Sequence, residues 1–266
     1  MQMEASIDKD ENLKVIKEYI AKAADDKSEL VAFPEFIMCH TPSSQTPQQL
    51  ADVAETLDGN FVGEVADMAR SRSVQVVGTI YEKSDRNDRV YDTAFLLDRG
   101  GRMVSSYRKV HLYDALGFYE SDKMMPGSHM PRPAQSSAGV VGMMICYDLR
   151  FPEMARSLAL AGSQILVAPS AWVRGQAKEE HWITINKTRA LENGCYVIAP
   201  DQVGRIYCGR SLVVDPYGSV LVDMGAKQGL ASVDISLERL EQIRQGLPLL
   251  QSRKPDIYRE SEPHLL

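Results

Sequence analysis

This chain of 266 residues contains no long run of lysine and arginine, no apolar stretch approaching a membrane span, and no closely spaced cysteines. With 30 basic against 36 acidic side chains, its formal net charge of -6 argues against a nucleic-acid footprint or an anchor on an anionic membrane. A helix crossing a bilayer needs roughly 20 predominantly apolar residues, and none is present. The opening residues M-Q-M-E-A-S-I-D-K-D lack the basic region and apolar core of a secretory signal, so a cytoplasmic protein is expected. Cys39, Cys146, Cys195 and Cys208 form neither a C-x-x-C pair nor the dense framework of a small secreted scaffold, and reduced thiols are expected. No histidine pair stands at metal-ligand spacing, so neither a metal nor another cofactor is expected.

What is present is ordinary globular material, 44% hydrophobic and 25% charged, enough for one domain over residues 1–266 with residues 247–266 as a tail. Leu13, Ile16, Ile20 and Ala23 recur at helical spacing over 10–25, with Asp8 or Asp10 as a cap, and Phe61, Val65, Met68 and Ala69 mark a second helix at 60–72. Apolar runs at Leu30–Phe33, Val74–Ile80, Val140–Ile145, Gln164–Ala168 and Cys195–Ala199 predict buried strands. Hairpins are expected about Asp98–Gly101 and about Pro216–Gly218, and helices at Pro152–Ala161, 176–193 and 236–245. The order strand-to-proline, helix, strand, hairpin occurs twice, once from L-V-A-F-P and once from I-L-V-A-P, which predicts two related halves. Continuously apolar strands alternating with helices predict an α/β fold in which two mixed sheets pack face to face, covered by outer helices.

Three side chains stand just beyond these strands: Glu35 in V-A-F-P-E-F, Lys109 in Y-R-K-V-H-L-Y-D and Cys146 in G-M-M-I-C-Y-D-L-R-F-P-E. A thiol nucleophile needs a base, and a tetrahedral oxyanion needs positive charge or N–H donors, so this trio fits a nucleophilic hydrolase. A strand-to-helix turn would lift Cys146 clear of the sheet beside backbone amides, and the amide of Tyr147 is the candidate second oxyanion donor. Taken singly, each residue has a plainer fate: a buried cysteine is commonly a small hydrophobe, and lysine and glutamate are commonly solvated. His111 is expected to be a hydrogen-bonded structural residue.

The three motifs, in this order, closely resemble the nitrilase superfamily of carbon–nitrogen hydrolases. The resemblance runs over nearly the whole chain, from Gln2 to the tail. It implies a four-layer α-β-β-α sandwich with a Glu-Lys-Cys triad that maps onto Glu35, Lys109 and Cys146. It also implies that Glu120, in F-Y-E-S-D-K, is a second glutamate holding Lys109 and positioning the substrate amide. The chain begins inside the first strand of the resembled pattern, so either a misplaced start codon or a short edge strand is expected there.

The segment I-C-Y-D-L-R-F-P-E resembles the omega-amidase and deaminated-glutathione-amidase branch more than carbamoyl hydrolases or true nitrilases. That implies a small dicarboxylate monoamide such as 2-oxoglutaramate as substrate, cleaved to a carboxylate and ammonia through a thioester. Arg150 is expected either to clamp the substrate carboxylate or to pair with Glu153 or Asp148. The branch carries Gly-Pro before its His-Trp, whereas here the loop runs P-S-A-W-V-R-G-Q-A-K-E-E to His181 and Trp182, so Trp172 and Arg174 are expected to reshape the pocket. A homodimer, or a higher homo-oligomer, is expected through the helix at 176–193, with the apolar tip Pro263–Leu266 reaching over the partner. The alternatives are a nitrilase or N-carbamoyl hydrolase, a non-catalytic binding protein on this fold, and a redox thiol protein.

Overall fold

The computed structural model describes residues 1–42, 44–204 and 206–261. One sheet contains β1 (Leu30–Ala32), β2 (Gln75–Lys83), β3 (Val90–Leu97) and β4 (Met103–Arg108) in that order, the first pair parallel and the others antiparallel. A small hairpin, β5 (Asp114–Ala115) with β6 (Phe118–Tyr119), follows. The second sheet is built from β7 (Ala134–Ser136), β8 (Gly139–Met143), β9 (Ile165–Val167), β10 (Tyr196–Ala199), β11 (Leu212–Val214) and β12 (Val220–Asp223), ordered β12-β11-β10-β9-β8-β7. The helices are α1 (Lys9–Asp25), α2 (Pro47–Val53), α3 (Asn60–Arg72), α4 (Pro152–Leu160), α5 (Lys178–Asn193), α6 (Leu237–Gly246) and α7 (Pro255–Ser261).

The four layers follow from a period of two along the strands. In the first sheet Ala32, Val77, Ala94 and Leu96 point into the core shared with Val141, Ile165, Val197 and Val214 of the second sheet. Their neighbours Val31, Val76, Phe95 and Leu97 point the other way, against Leu13, Ile16 and Ile20 of α1 and Phe61 and Val65 of α3. Met154 and Leu158 of α4, Trp182 of α5 and Leu240 of α6 belong to the second sheet's cluster. This is the expected α-β-β-α sandwich. The two halves repeat as the sequence predicted. A parallel pair followed by two antiparallel partners occurs as β1-β2-β3-β4 and again as β9-β10-β11-β12.

Asp8 caps α1, its carboxylate accepting from the amides of Asp10 and Glu11, which settles the choice between Asp8 and Asp10. At the chain start Gln2 and Met3 make only single bridges, to Gly229 and Gln202. The helix expected from 176 begins at Lys178, because Ala177 adopts a left-handed φ of 55°. That helix buries mainly polar residues, Asn186, Arg189 and Asn193 among them, instead of presenting an apolar face. The tail is helical over Pro255–Ser261, and its apolar tip Pro263–Leu266 lies outside the described residues. No helix among the described residues is long and apolar enough to cross a membrane.

Candidate active site

The turns that follow the two repeated strands meet. After β1 comes Pro34 and then Glu35, and after β9 comes Pro169 and then Ser170 and Ala171. Glu35 donates its backbone N–H to the Ser170 carbonyl at 3.3 Å, and the Ala171 N–H donates to Glu35 Oε2 at 2.8 Å. Gln202 Nε2 donates to the Glu35 carbonyl at 2.8 Å, so the carboxylate stands on a backbone fixed from both halves.

Lys109, the first residue after β4, sends a fully buried ammonium into the same place. Its Nζ donates to Glu35 Oε1 at 2.7 Å and to the two oxygens of Glu120 at 3.0 and 2.8 Å, and Asp92 Oδ2 lies 3.8 Å away. Glu120, in a short 3-10 turn after β6, also accepts the Tyr113 N–H at 2.7 Å. Burial disfavours the Lys109 charge, but Glu120 and Glu35 more than offset it and hold the ammonium well above its ordinary range. Glu120 is shifted up by burial, against the pull of Lys109.

Cys146 follows β8 and opens a 3-10 turn, Cys146–Arg150, that separates the strand from α4. The expected strand to Ile145 thus stops at Met143. Cys146 holds φ at 43°, a left-handed conformation that a β-carbon disfavours, and its N–H donates to the Pro169 carbonyl at 2.9 Å. The thiol is buried. Burial and then Glu35 push its pKa well up, with Lys109 pulling the other way, so it rests protonated. The Tyr147 amide lies in the first turn of the 3-10 helix, where no preceding helical carbonyl serves it.

Asp148 fixes this turn to the segment that carries Lys109. Its oxygens accept from Tyr107 Oη at 2.7 Å, the Ile145 N–H at 2.9 Å and the His111 N–H at 3.2 Å, with His111 Nδ1 at 2.7 Å. His111 is therefore structural, as expected. The carboxylate partners foreseen for Arg150 are not used among the described residues: Asp148 is occupied, and the Arg150 guanidinium lies over the Trp172 ring at 4.6 Å.

A cavity of about 520 Å³ opens on Cys146 and Glu120 and is walled by Tyr147, Arg150, Trp172 and Lys178 among others. Glu120, Cys146, Tyr147, Arg150 and Trp172 line this cavity, Glu35 and Lys109 lie in the buried cluster bonded to Glu120, and Arg174 does not line it. Sequence reasoning missed Lys178. Its ammonium stands 4.9 Å from the Tyr113 and Trp172 ring centres, donates to Tyr113 Oη at 3.2 Å and is lowered in pKa by burial and then by Arg150. It also missed Asp92 and Asp201. The latter is buried and accepts the Trp172 N–H at 2.7 Å. A charged residue inside the apolar run V-Y-D-T-A-F-L-L was the available signal for Asp92, whereas nothing in the polar run K-E-E-H marked Lys178.

The family model for carbon–nitrogen hydrolases matches residues 1–245. The chain belongs to the carbon–nitrogen hydrolase family. Among curated relatives it is 36% identical to a deaminated glutathione amidase of Rattus norvegicus, covering 97% of this chain and 82% of that protein. It is 32% identical to the Escherichia coli O157:H7 protein of the same name, covering 92% of each. The crystal structure of the C. elegans NitFhit protein superposes with a TM-score of 0.87 at 29% identity, covering 97% of this chain and 64% of that longer one. An amidase from Nesterenkonia sp. gives a TM-score of 0.80 at 26% identity over 98% of this chain and 93% of its own. These relationships make the hydrolase an enzyme of the amidase-containing superfamily, with the fold described above.

Proposed function

We propose that this hydrolase is a cysteine-dependent amidase in which Glu35 is the general base, Cys146 the nucleophile, Lys109 with the Tyr147 amide the oxyanion donors, and Glu120 the residue that holds Lys109 and the substrate amide. We read the whole of residues 1–266 as one catalytic domain. The observation that carries the reading is a buried ammonium bonded to two glutamates beneath a cavity that a buried thiol lines.

A thiol that rests protonated must lose its proton as it attacks, and Glu35 takes it while sulfur bonds to the amide carbonyl carbon. The oxyanion is met by Lys109 and the Tyr147 N–H. Protonated Glu35 then passes the proton to the departing nitrogen, the C–N bond breaks and a thioester remains on Cys146. Water, deprotonated by Glu35, cleaves the thioester, releases the carboxylic acid and restores the thiol.

Arg150 and Lys178 supply the preference for an anionic substrate. Both line the cavity against Trp172, and among the described residues neither is paired with a carboxylate. Two unneutralised cations side by side favour a carboxylate lying between them. A dicarboxylate monoamide such as 2-oxoglutaramate meets that requirement. The cavity volume also favours a second reading with a larger leaving group: about 520 Å³ falls in the ~300–1,000 Å³ range of pockets for much larger molecules. Deaminated glutathione, the compound in the relatives' name, carries carboxylates at both ends of an amide.

The deciding experiment is a screen of product release over 2-oxoglutaramate, deaminated glutathione, neutral aliphatic amides, nitriles and N-carbamoyl amino acids. An anionic amide is expected to give the highest kcat/KM. Preference for a nitrile or carbamoyl compound would overturn the amide reading, and inertness to all of them would favour a non-catalytic role.

A further inference from the structure

The amidase chemistry leaves one buried acid without a task. Asp92 lies in β3, in step with Ala94 and Leu96, whose side chains face the core between the sheets. It is 1% exposed, and neither of its carboxyl oxygens has a conventional donor within hydrogen-bond distance among the described residues. Its Oδ2 is 3.8 Å from Lys109 Nζ, and its own carbonyl accepts the Lys109 N–H at 2.8 Å.

Three acids, Glu35, Glu120 and Asp92, therefore surround one ammonium. Were all three ionised, the cluster would carry two uncompensated negative charges out of contact with water, which is strongly unfavourable. Glu35 and Glu120 each hold direct hydrogen bonds from Lys109 and from a backbone N–H. Asp92 holds none, so it is the acid that gains least from being charged.

We propose that Asp92 is a positioning residue held as a neutral acid, giving its O–H to Glu35. The inference rests on the reading of Glu35 as the base. An ionised carboxylate offers about four acceptor sites. Lys109 and the Ala171 N–H occupy one on each oxygen, and the Asp92 hydroxyl takes a third. The site left over is the one that receives the Cys146 proton, so Asp92 restricts which way the base can act. The groups facing Asp92 agree with this assignment: burial and then the charge of Glu35 push its pKa well up, Lys109 opposes them, and Glu120 adds to them, while buried Tyr81 on β2 stays neutral beside it.

Infrared difference spectra of the intact enzyme, wild type minus Asp92→Asn at pH 7, test the protonation directly. The carbonyl stretch of an un-ionised carboxyl is expected in wild type and absent from the variant. Kinetics test the positioning. Asp92→Ala, which removes the donor, is expected to lower kcat by roughly 10²-fold with KM little changed, and Asp92→Asn, whose amide N–H replaces the hydroxyl, to recover most of that loss. Thermal unfolding gives a third readout. Native Asp92 keeps a proton that the unfolded chain releases above about pH 3.9, so wild-type stability falls as pH rises from there, and the melting temperature of Asp92→Asn relative to wild type should climb over the same range. Absence of the band, or an Asn variant as impaired as the Ala variant, would overturn the inference alone. A wild-type enzyme that turns over no amide would remove the base reading and the positioning role together.

Discussion

The backbone N–H of Ala171 donates to Glu35 Oε2 at 2.8 Å across 136 residues of sequence. Because the same carboxylate bonds Lys109 through Oε1, the proposed base and the cation are held in one unit to which both halves of the chain contribute. Around that unit, side-chain geometry can be turned into expected outcomes.

Replacing Cys146 by alanine should abolish thioester formation. By comparison with other nucleophile deletions, kcat should fall roughly 10⁶-fold, to the detection limit, with the fold intact. Mass spectrometry after quenching with a slow amide should show an acyl adduct on wild type and none on the variant. In the free enzyme, iodoacetamide should modify Cys146 slowly at pH 7, since burial holds the thiol protonated. Fast alkylation at that pH would contradict a resting thiol.

Lys109→Met removes the only cation bonded to Glu35 and Glu120 among the described residues. Breaking such a buried pair typically costs about 3–5 kcal/mol. Urea denaturation should register a loss of that size, and turnover should vanish as well. A Met variant as stable as wild type would mean that the carboxylates need no ammonium.

Arg150→Met and Lys178→Met should each lower kcat/KM for an anionic amide while sparing a neutral aliphatic amide. Losing one charge-assisted hydrogen bond, about 1.5–3 kcal/mol, corresponds to roughly 10–100-fold. Lys178 adds a pH signature. Burial and Arg150 lower its pKa, so its charge is present at low pH and is lost on the way up, before an ordinary lysine near 10.4 titrates. KM for the anionic amide should therefore rise with alkaline pH below that value, and Lys178→Arg should remove the rise. Equal losses for charged and neutral amides would make both residues structural.

Assembly is a fourth test. We propose a homodimer that pairs through α5, the helix expected from the sequence to form the seam, where Leu191 is 43% exposed. Sedimentation at micromolar concentration should give twice the 29.6 kDa chain mass, and Leu191→Lys should shift the species towards monomer. A monomer mass for wild type would end the proposal.

The strands leading up to Pro34 and Pro169 were legible because continuous apolar runs punctuated by proline leave little choice of state, and their repetition exposed the two halves. Glu35, Lys109, Glu120 and Cys146 were legible as motifs. Their contacts were not, because they span as many as 74 residues between Glu35 and Lys109, and local pattern carries no information at that range. The hairpin β5–β6 escaped because each strand has only two residues. Helix α2 escaped although T-P-Q-Q carries a capping box, Thr46 with Gln49, and proline at the first helical position. Lys178 was invisible for a different reason: what makes it notable is the aromatic and cationic company it keeps, and only packing supplies that.

The bonds that assemble the site also set when it can exist. Glu35 reaches Lys109 across 74 residues, Ala171 across 136 and Gln202 across 167. Contacts of such sequence separation form only after large loops have closed. Helices and local hairpins can form during synthesis while the acids, the ammonium and the thiol remain apart, and a reactive centre appears only when the two sheets dock. In a refolding experiment, recovery of catalysis should therefore lag recovery of helical signal, which makes turnover a clock for the last step of folding.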